Sequence, residues 1–351
     1  MKNITFMLGN GFDLNAGLKT GYRDFYEYYI VKHPKDRLAQ AIQKDYKYWS
    51  DLEIGLGKYT GRVKPEDEEN FWNSTNVLMW ELSDYLRKQE GQINIKGKEK
   101  EKEIAQQMRQ SLMNFYSTLT TAEKNYFKEY ICSTQERIMY SFITFNYTSV
   151  IDQCVRITKK AWSGEIGNHV TCDGTKYQHS LGEVLHIHGT TSGEMVLGVN
   201  DEGQIFNREF RRNPQYKKLL IKEEINKSFN SNRVAEARDL INRSMIICVF
   251  GMSIGQTDKM WWQCICEWLQ KNRERRLIVY YKRDKMRGIV TQIEFFTKQD
   301  EIVKRLKSNI SVDNVVWNNI KGQIYIGSNE IFKFNLVKDE GLWQEKINRF
   351  L

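Results

Sequence analysis

An apolar run begins at Ile4 and is followed by five residues that could contact a ligand. These are Gly9, Asn10, Gly11, Phe12 and Asp13. Glycine permits positive φ and a close approach of ligand to backbone, and free N–H groups at the start of a helix attract an anion. The cluster therefore predicts a phosphate-binding turn, with an ordinary strand-to-helix turn as the alternative. Leu14 departs from the full Gly-x-Gly-x-x-Gly pattern. A carboxylate at Asp13 suits ribose hydroxyls better than a phosphate.

Two histidines, His186 and His188, stand two residues apart in a strand-like run that ends at Gly189. Alternation along a strand places them on the same face, with His186 deeper. Three interpretations remain open: a pair of metal ligands, an acid/base residue with a supporting neighbour, or two hydrogen-bonded structural histidines.

Polar residues also follow two other apolar runs, 138–145 and 245–250. The first run ends at Asn146, which either faces a ligand or caps a helix predicted at 149–158. The second is followed by residues that include Gly251, Ser253, Thr257 and Asp258. Thr257 or Asp258 is predicted to cap a helix over 259–271.

The elements that must position these residues are buried strands, and their order favours an α/β fold. The carboxyl ends of neighbouring parallel strands form the ligand crevice of an open sheet. Four strand-like runs end at residues 9–13, 146, 188–189 and 251–258, so we expect these residues to line one polar crevice. Further strands are predicted at 195–201, 277–281 and within 315–336.

Helical spacing dominates residues 26–134, which we interpret as a large helical insertion that covers the crevice. The domains predicted are therefore 1–25 with 135–351, forming a Rossmann-like nucleotide-binding domain, and the insertion itself. Helices are expected at 22–33, 36–56, 66–87, 101–118, 121–133, 208–243, 285–297 and 300–307. The charged segment 90–103 is interpreted as a solvated loop or frayed helix end, and 161–180, with His169 and His179, as a loop without an assigned role.

Composition limits the class of protein. The 351 residues include 40% hydrophobic and only 3 Pro residues, which indicates a globular chain with a large core. A net charge of +9 permits an anionic partner but does not require nucleic acid, because Lys and Arg alternate with Glu in helix-like runs. Six cysteines without a Cys-x-x-Cys pair predict a reducing compartment and no structural zinc. We expect a cytoplasmic protein without a signal peptide or membrane span.

Several motifs, in this order, resemble those of the AbiH family of bacterial abortive-infection, anti-phage proteins. They are GNGFDLNAGLKTGYRDFY (9–26), WSDLEIGLG (49–57), FITFNYT (142–148), LHIHG with LGVND (185–189 and 197–201), and FGMSIGQTD (250–258). The motif order is also similar to that of sirtuin-like NAD-consuming domains of bacterial defence. This resemblance implies a sirtuin-like parallel sheet that binds NAD.

The resemblance also implies roles for individual residues. Gly9, Asn10 and Gly11 would meet the phosphates, Asn146 would order the nicotinamide ribose or the attacking water, His188 would be the base, and Ser253 would touch the ribose. NAD would then be hydrolysed to ADP-ribose and nicotinamide, with no metal expected. The chain lacks the four-cysteine zinc module of deacetylating sirtuins, and its Phe12-Asp13 pair is foreign to them, so deacetylation is not expected.

Three alternatives stay open. A metal-dependent nuclease or phosphodiesterase would use His186 and His188 with carboxylates such as Asp13, Asp201 or Asp258. A non-catalytic nucleotide-sensing module would bind a nucleotide and act with a partner chain. A structural scaffold would neither catalyse a reaction nor sense a nucleotide. We expect NAD or a related nucleotide as ligand, together with a homo-oligomer and a regulatory or phage-sensing protein partner.

Overall fold

The computed structural model describes residues 1–229, 231–283 and 292–337. The predicted α/β class is confirmed by a seven-stranded, mostly parallel sheet surrounded by helices. Its strands are β1 (Lys2–Leu8), β2 (Ile138–Thr144), β3 (Glu165–Val170), β4 (Lys176–His186), β5 (Ser244–Phe250), β6 (Arg276–Tyr281) and β7 (Ile324–Ser328).

The strand order is β3-β4-β2-β1-β5-β6-β7. The six strands other than β3 pair in parallel, and β3 pairs antiparallel with β4 at one edge. The central strands β2, β1 and β5 read as nearly continuous apolar runs because helices cover both faces of a parallel sheet. As a result, β4, β2, β1 and β5 deliver their carboxyl ends side by side, as the sequence predicted.

Residues between β1 and β2 form helices, and further helices follow β2. The α-helices of the described chain are α1 (Gly11–Asn15), α2 (Tyr22–Lys32), α3 (Arg37–Lys44), α4 (Leu52–Tyr59), α5 (Glu68–Glu90), α6 (Lys98–Met113), α7 (Thr121–Cys132), α8 (Val150–Trp162), α9 (Arg208–Arg212), α10 (Pro214–Leu220), α11 (Lys222–Ser228), α12 (Arg233–Arg243), α13 (Lys259–Lys271), α14 (Gln292–Asn309) and α15 (Asn314–Ile320). Part of the helix predicted at 285–297 lies outside the described residues.

Alternate residues of each strand enter opposite cores, as the two-residue period of a strand requires. Phe6 and Leu8 pack with α6, α7 and α8, whereas Met7 packs with α12, α13 and α15. A third core joins α2 to α5 with residues 197–221. Residues 26–134 therefore contribute to two cores, since α6 and α7 pack against the sheet and α2 to α5 pack above its carboxyl edge.

Several local predictions were wrong. Residues 161–180 are not a loop, because β3 and the first part of β4 lie there. His169 and His179 are hydrogen-bonded to each other, with 2.8 Å between Nδ1 of His169 and Nε2 of His179. Residues 195–201 form no named strand, and 315–336 contains α15 as well as β7. The helix predicted over 36–56 is interrupted between α3 and α4, where Asp51 caps α4.

The segment 90–103 is also more structured than predicted. Helix α5 ends at Glu90 and α6 begins at Lys98. Between them, Asn94 N–H donates to Leu336 O at 2.6 Å, and Ile93 and Ile95 pack against the core. Because these two isoleucines are anchored in this way, the segment is not a freely solvated loop. The many charged residues around them concealed these two apolar positions in the sequence.

Candidate functional site

A cavity of about 280 Å³ lies where the chain leaves the carboxyl ends of β1, β2 and β5. Helices α2, α4 and α5 also supply side chains to its wall, so part of region 26–134 does cover the crevice. The residues that line the cavity are Gly9, Asn10, Asp13, Thr20, Tyr22, Ser50, Asp51, Glu53, Leu82, Leu86, Phe145, Asn146, Tyr147, Thr148, His188, Gly251, Met252, Ser253, Thr257 and Asp258. The four strand ends singled out in the sequence therefore meet.

The two glycine turns are packed directly against each other. A Cβ at Gly11 would lie 2.4 Å from the Gly251 Cα, and one at Gly9 would lie 2.6 Å from the Gly251 O. Gly251 itself has a φ of +67°, which disfavours any side chain. Close packing therefore accounts for these glycines without a ligand.

Two of the amides expected to meet a phosphate already have acceptors. Gly9 N–H donates to Phe250 O at 3.0 Å, and Gly11 N–H donates to Gly251 O at 2.9 Å. Asn10 lines the cavity, and its side chain both donates to and accepts from Thr20. The first turn is thus held mainly by contacts within the protein.

Two residues predicted to contact the cofactor do not line the cavity. Phe12 is fully buried and packs edge-on against Phe250, Phe332 and Phe334. Gly11 faces Gly251. The prediction treated the whole turn as one ligand-facing unit, whereas the short helix α1 directs Phe12 into the core and Asp13 into the cavity.

Asp13 is the centre of a hydrogen-bonded group at the ends of β1 and β2. Asn146 Nδ2 donates to Asp13 Oδ1 at 3.0 Å, and Thr148 Oγ1 donates to Asp13 Oδ2 at 2.5 Å. Asn146 is therefore no helix cap, and α8 begins after Ser149. Asp13 is only 1% exposed, and this burial raises its pKa to about 7, while the two donors act in the opposite direction.

His188 is buried against Phe145 and Tyr147, whose rings lie within 6.0 Å of its own. Burial lowers the pKa of His188 well below its ordinary value, and the ammonium of Lys222 acts in the same direction. A hydrogen bond with the backbone of Phe145 partly opposes this shift. The imidazole is thus neutral near pH 7 and can accept a proton.

His186 occupies a different environment. Its Nε2 lies 2.8 Å from Asp152 Oδ2 on α8, and its Nδ1 lies 3.2 Å from Asn146 O. The strand ends at His186, so strand alternation does not extend to His188, and only His188 lines the cavity. His186 is partly buried and His188 is buried, so the prediction that His186 lies deeper was wrong.

The carboxylates named for the metal-dependent alternative do not form a set of metal ligands with the two histidines. Asp201 is exposed and accepts from Gly203 N–H at 2.8 Å. Within the residues that the structure describes, no three His, Cys, Asp or Glu side chains form a group able to hold a metal ion. The ligand set required by the metal-dependent hydrolase alternative is therefore not assembled in this part of the chain.

The sequence did not single out an acidic wall of the cavity. Glu53 on α4 pairs with Lys222 on α11, at 2.6 Å between Oε2 and Nζ, with side-chain exposures of only 6% and 10%. The other oxygen of Glu53, Oε1, is buried without a hydrogen-bond partner among the described residues. Asp51 caps α4 and accepts from Thr257 Oγ1 at 3.2 Å. The WSDLEIGLG motif contains both Asp51 and Glu53. Because this motif is far along the chain from the strand ends, the sequence did not show that the two acids line the cavity.

Asp258 and Ser253, which follow β5, also line the cavity. The predicted cap of α13 is absent, because neither Asp258 nor Thr257 makes a side-chain cap there. Burial raises the pKa of Asp258 to about 6, against the attraction of Lys222. The carboxyl of Asp258 is therefore available to the cavity rather than used by the helix.

None of the helices in the described ranges combines the length and apolarity needed to cross a bilayer. No curated protein matches the sequence significantly. The family model described as bacteriophage abortive infection AbiH matches residues 5–281, which includes the whole cavity. The chain therefore belongs to the AbiH family.

Proposed function

We propose that this AbiH protein is an anti-phage effector that binds NAD and hydrolyses it to ADP-ribose and nicotinamide. Membership in the family indicates a role in abortive infection by bacteriophage. The observation that carries the chemical proposal is the number of carboxyl groups that line the cavity. Four carboxyl side chains line it, and none of its described lining residues is Lys or Arg. The four are Asp13, Asp51, Glu53 and Asp258.

An acidic cavity suits the nicotinamide riboside end of NAD⁺. The pyridinium ring is cationic, and cleavage of the N-glycosidic bond passes through an oxocarbenium-like state that also carries positive charge. Carboxylates attract both, whereas they repel a pyrophosphate. The volume of about 280 Å³ is near the lower end of the ~300–1,000 Å³ typical of small-molecule sites, which supports a nucleoside-sized group inside and the rest of the molecule outside.

His188 supplies the proton acceptor for this reaction. The C1′–N bond breaks, nicotinamide leaves with the bonding electron pair, and a water oxygen bonds to C1′ as its proton passes to His188. Because the pKa of His188 is lowered, the imidazole is neutral at neutral pH and offers a nitrogen lone pair. It is a weaker base than an ordinary histidine, so the proton moves to it only as the water oxygen bonds to C1′. The other predicted contacts that line the cavity, Gly9, Asn10, Gly251 and Ser253, would surround the nicotinamide riboside end, and the remainder of the nucleotide would lie outside.

The sirtuin-like relationship belongs to the same proposal. Four neighbouring parallel strands ending at one ligand crevice support a Rossmann-like domain formed by 1–25 and 135–351. Region 26–134 would then be the insertion, with Leu82 and Leu86 of α5 excluding bulk water from the crevice. We place the reaction in the cytoplasm, where NAD is available, and propose a regulatory protein partner or self-assembly as the control.

The test is incubation of the purified full-length protein with NAD⁺, followed by chromatography of the products. We expect nicotinamide and ADP-ribose in equal amounts, and activity that survives chelation of divalent metals. Matched samples should contain His188→Ala protein, whose turnover we expect to fall by about 10²–10⁴-fold. Binding of NAD⁺ without any cleavage would instead favour a nucleotide-sensing module. Loss of activity on chelation and recovery with manganese would favour the metal-dependent alternative.

A further inference from the structure

Asp13 differs from the other acids of the cavity in how its charge is balanced. Glu53 is ion-paired with Lys222, and that ammonium also attracts Asp258. The same ammonium attracts Asp51, which also accepts from the backbone N–H groups of Glu53 and Ile54 at the start of α4. Asp13 has no ion-pair partner among the described residues and is held by two neutral donors. It is therefore the carboxyl whose charge a bound cation would balance.

The two donors also fix the direction in which Asp13 is presented. Asn146 and Thr148 stand two residues apart just after β2, and each serves a different oxygen of the carboxyl group. Both are buried, at 7% and 1% exposure, so neither is a mobile surface group. Such a carboxyl is held ready before substrate binds, which is the condition for stabilising charge in a transition state.

The charged and titratable groups around Asp13 come from three elements. Glu90 of α5 disfavours its ionised form, and His186 at the end of β4 favours it. Cys154 of α8 also faces it, and the negative charge of Asp13 helps raise the pKa of that thiol to about 12. Within this surrounding, burial raises the pKa of Asp13 to about 7. A change of its protonation is thus expected close to neutral pH.

We propose that Asp13 is a second catalytic residue of the N-glycosidic cleavage, and that Asn146 and Thr148 are its positioning residues. This inference rests on the proposed function. The ionised Asp13 faces the positive charge that develops at C1′ as nicotinamide departs with the bonding electrons. Water then bonds to C1′ and its proton passes to His188, so Asp13 neither gains nor loses a proton in the step.

The experiment compares the full-length protein with Asp13→Asn, Thr148→Val and an exposed acidic control, Asp201→Asn. Asparagine keeps the size of Asp13 but carries no charge. Its amide oxygen can still accept from Asn146 Nδ2, and its NH2 group can donate to Thr148 Oγ1 in place of the bond that the carboxylate accepts. We expect Asp13→Asn to bind NAD⁺ and to melt as a folded protein, with turnover lowered by about 10²–10³-fold, as when one group that stabilises transition-state charge is removed. Asp201→Asn should retain wild-type turnover.

Thr148→Val keeps the Asp13 charge and removes one donor, so it separates a positioning role from general loss of structure. We expect its turnover to fall about tenfold and the acid limb of its pH profile to move to higher pH, because the ionised carboxyl has lost a hydrogen bond. Wild-type turnover in a folded Asp13→Asn protein would overturn this assignment alone. Absence of nicotinamide release from the wild-type protein would overturn the proposed function and the assignment with it.

Discussion

Asn146 donates its side-chain N–H to Asp13 across 3.0 Å, and this bond joins the carboxyl ends of two neighbouring strands, β2 and β1. The two residues are 133 positions apart in the chain, so the parallel sheet alone brings them together. The contact gives Asn146 a role that the sequence did not show. It holds a buried carboxyl toward the cavity, and its amide supports the charged form.

Asn146→Ala should therefore alter the pH dependence of turnover as well as its size. Loss of the amide leaves Asp13 with one donor, which raises the pKa of the carboxyl further. We expect the acid limb of the nicotinamide-release profile to shift to higher pH and turnover at pH 7 to fall at least about tenfold. Asn168→Ala, at an exposed position of β3, is the control. An unshifted profile would show that Asn146 does not act through Asp13.

The two histidines should respond differently to substitution. His188→Ala removes the proton acceptor of the cavity, so we expect turnover to fall about 10²–10⁴-fold with the fold retained. His186 does not line the cavity, and His186→Ala removes its contacts with Asp152 Oδ2 and Asn146 O. This variant should lower the melting temperature more than the rate. Turnover and thermal melting measured on both proteins provide the test. Equal, complete loss of turnover in the two folded variants would contradict the separate roles.

The packing of the two glycine turns predicts a steric limit. In Gly11→Ala the new methyl group would lie 2.4 Å from Gly251 Cα, so the turns must separate. We expect a loss of about 1–3 kcal/mol or more in the free energy of unfolding, as for overpacking of a core. Gly322→Ala is the matched control, because nothing lies within 4 Å of its added Cβ. Urea unfolding of both variants measures the difference, and equal stabilities would refute the close packing.

Burial of Asp13 should also appear in the pH dependence of stability. Its pKa rises from 3.8 to about 7 on folding, so between these values the folded state binds more protons than the unfolded state. The Asp13 contribution to stability therefore falls as pH rises from about 4 to about 7. The free energy of unfolding of Asp13→Asn, relative to that of the wild type, should therefore rise by up to about 4 kcal/mol as pH increases over this range. Denaturant unfolding of both proteins at pH 4 and pH 8 measures the difference between their stabilities, which would stay constant if Asp13 titrated normally.

The buried ion pair predicts a contrast between two lysines. Lys222→Met leaves Glu53 buried without its partner and should cost about 3–5 kcal/mol, less where Glu53 takes up a proton. Lys217→Met removes a more exposed pair with Glu202 and should cost no more than about 1 kcal/mol. Adding Glu53→Gln to Lys222→Met should recover part of the loss. Equal costs for the two lysine variants, measured by urea unfolding, would argue against a dehydrated pair.

The central strands and their shared edge could be predicted because buried parallel strands are apolar on both faces and end abruptly in polar residues. That signal located Asp13, Asn146, His188 and Asp258. It could not locate Glu53, which reaches the cavity from a helix whose packing above the sheet depends on the whole fold.

Other parts of the fold have weaker signals in the sequence. Strands β3 and β4 are rich in polar residues, so their sequence resembles a loop; β3 is the edge strand and β4 lies next to it. Each glycine of the first turn suggested a ligand, but close contact between two backbones imposes the same requirement. Local sequence does not distinguish these two causes, because the contacting turn is some 240 residues away.

The most direct test of the central claim is the concentration of NAD in bacteria that carry this protein, measured through phage infection. Cells with the wild-type protein and cells with His188→Ala at equal expression are compared. We predict that NAD falls, and nicotinamide and ADP-ribose rise, in infected wild-type cells only. The account would be contradicted if the wild-type protein protects cells from phage while their NAD concentration stays as high as in the His188→Ala cells.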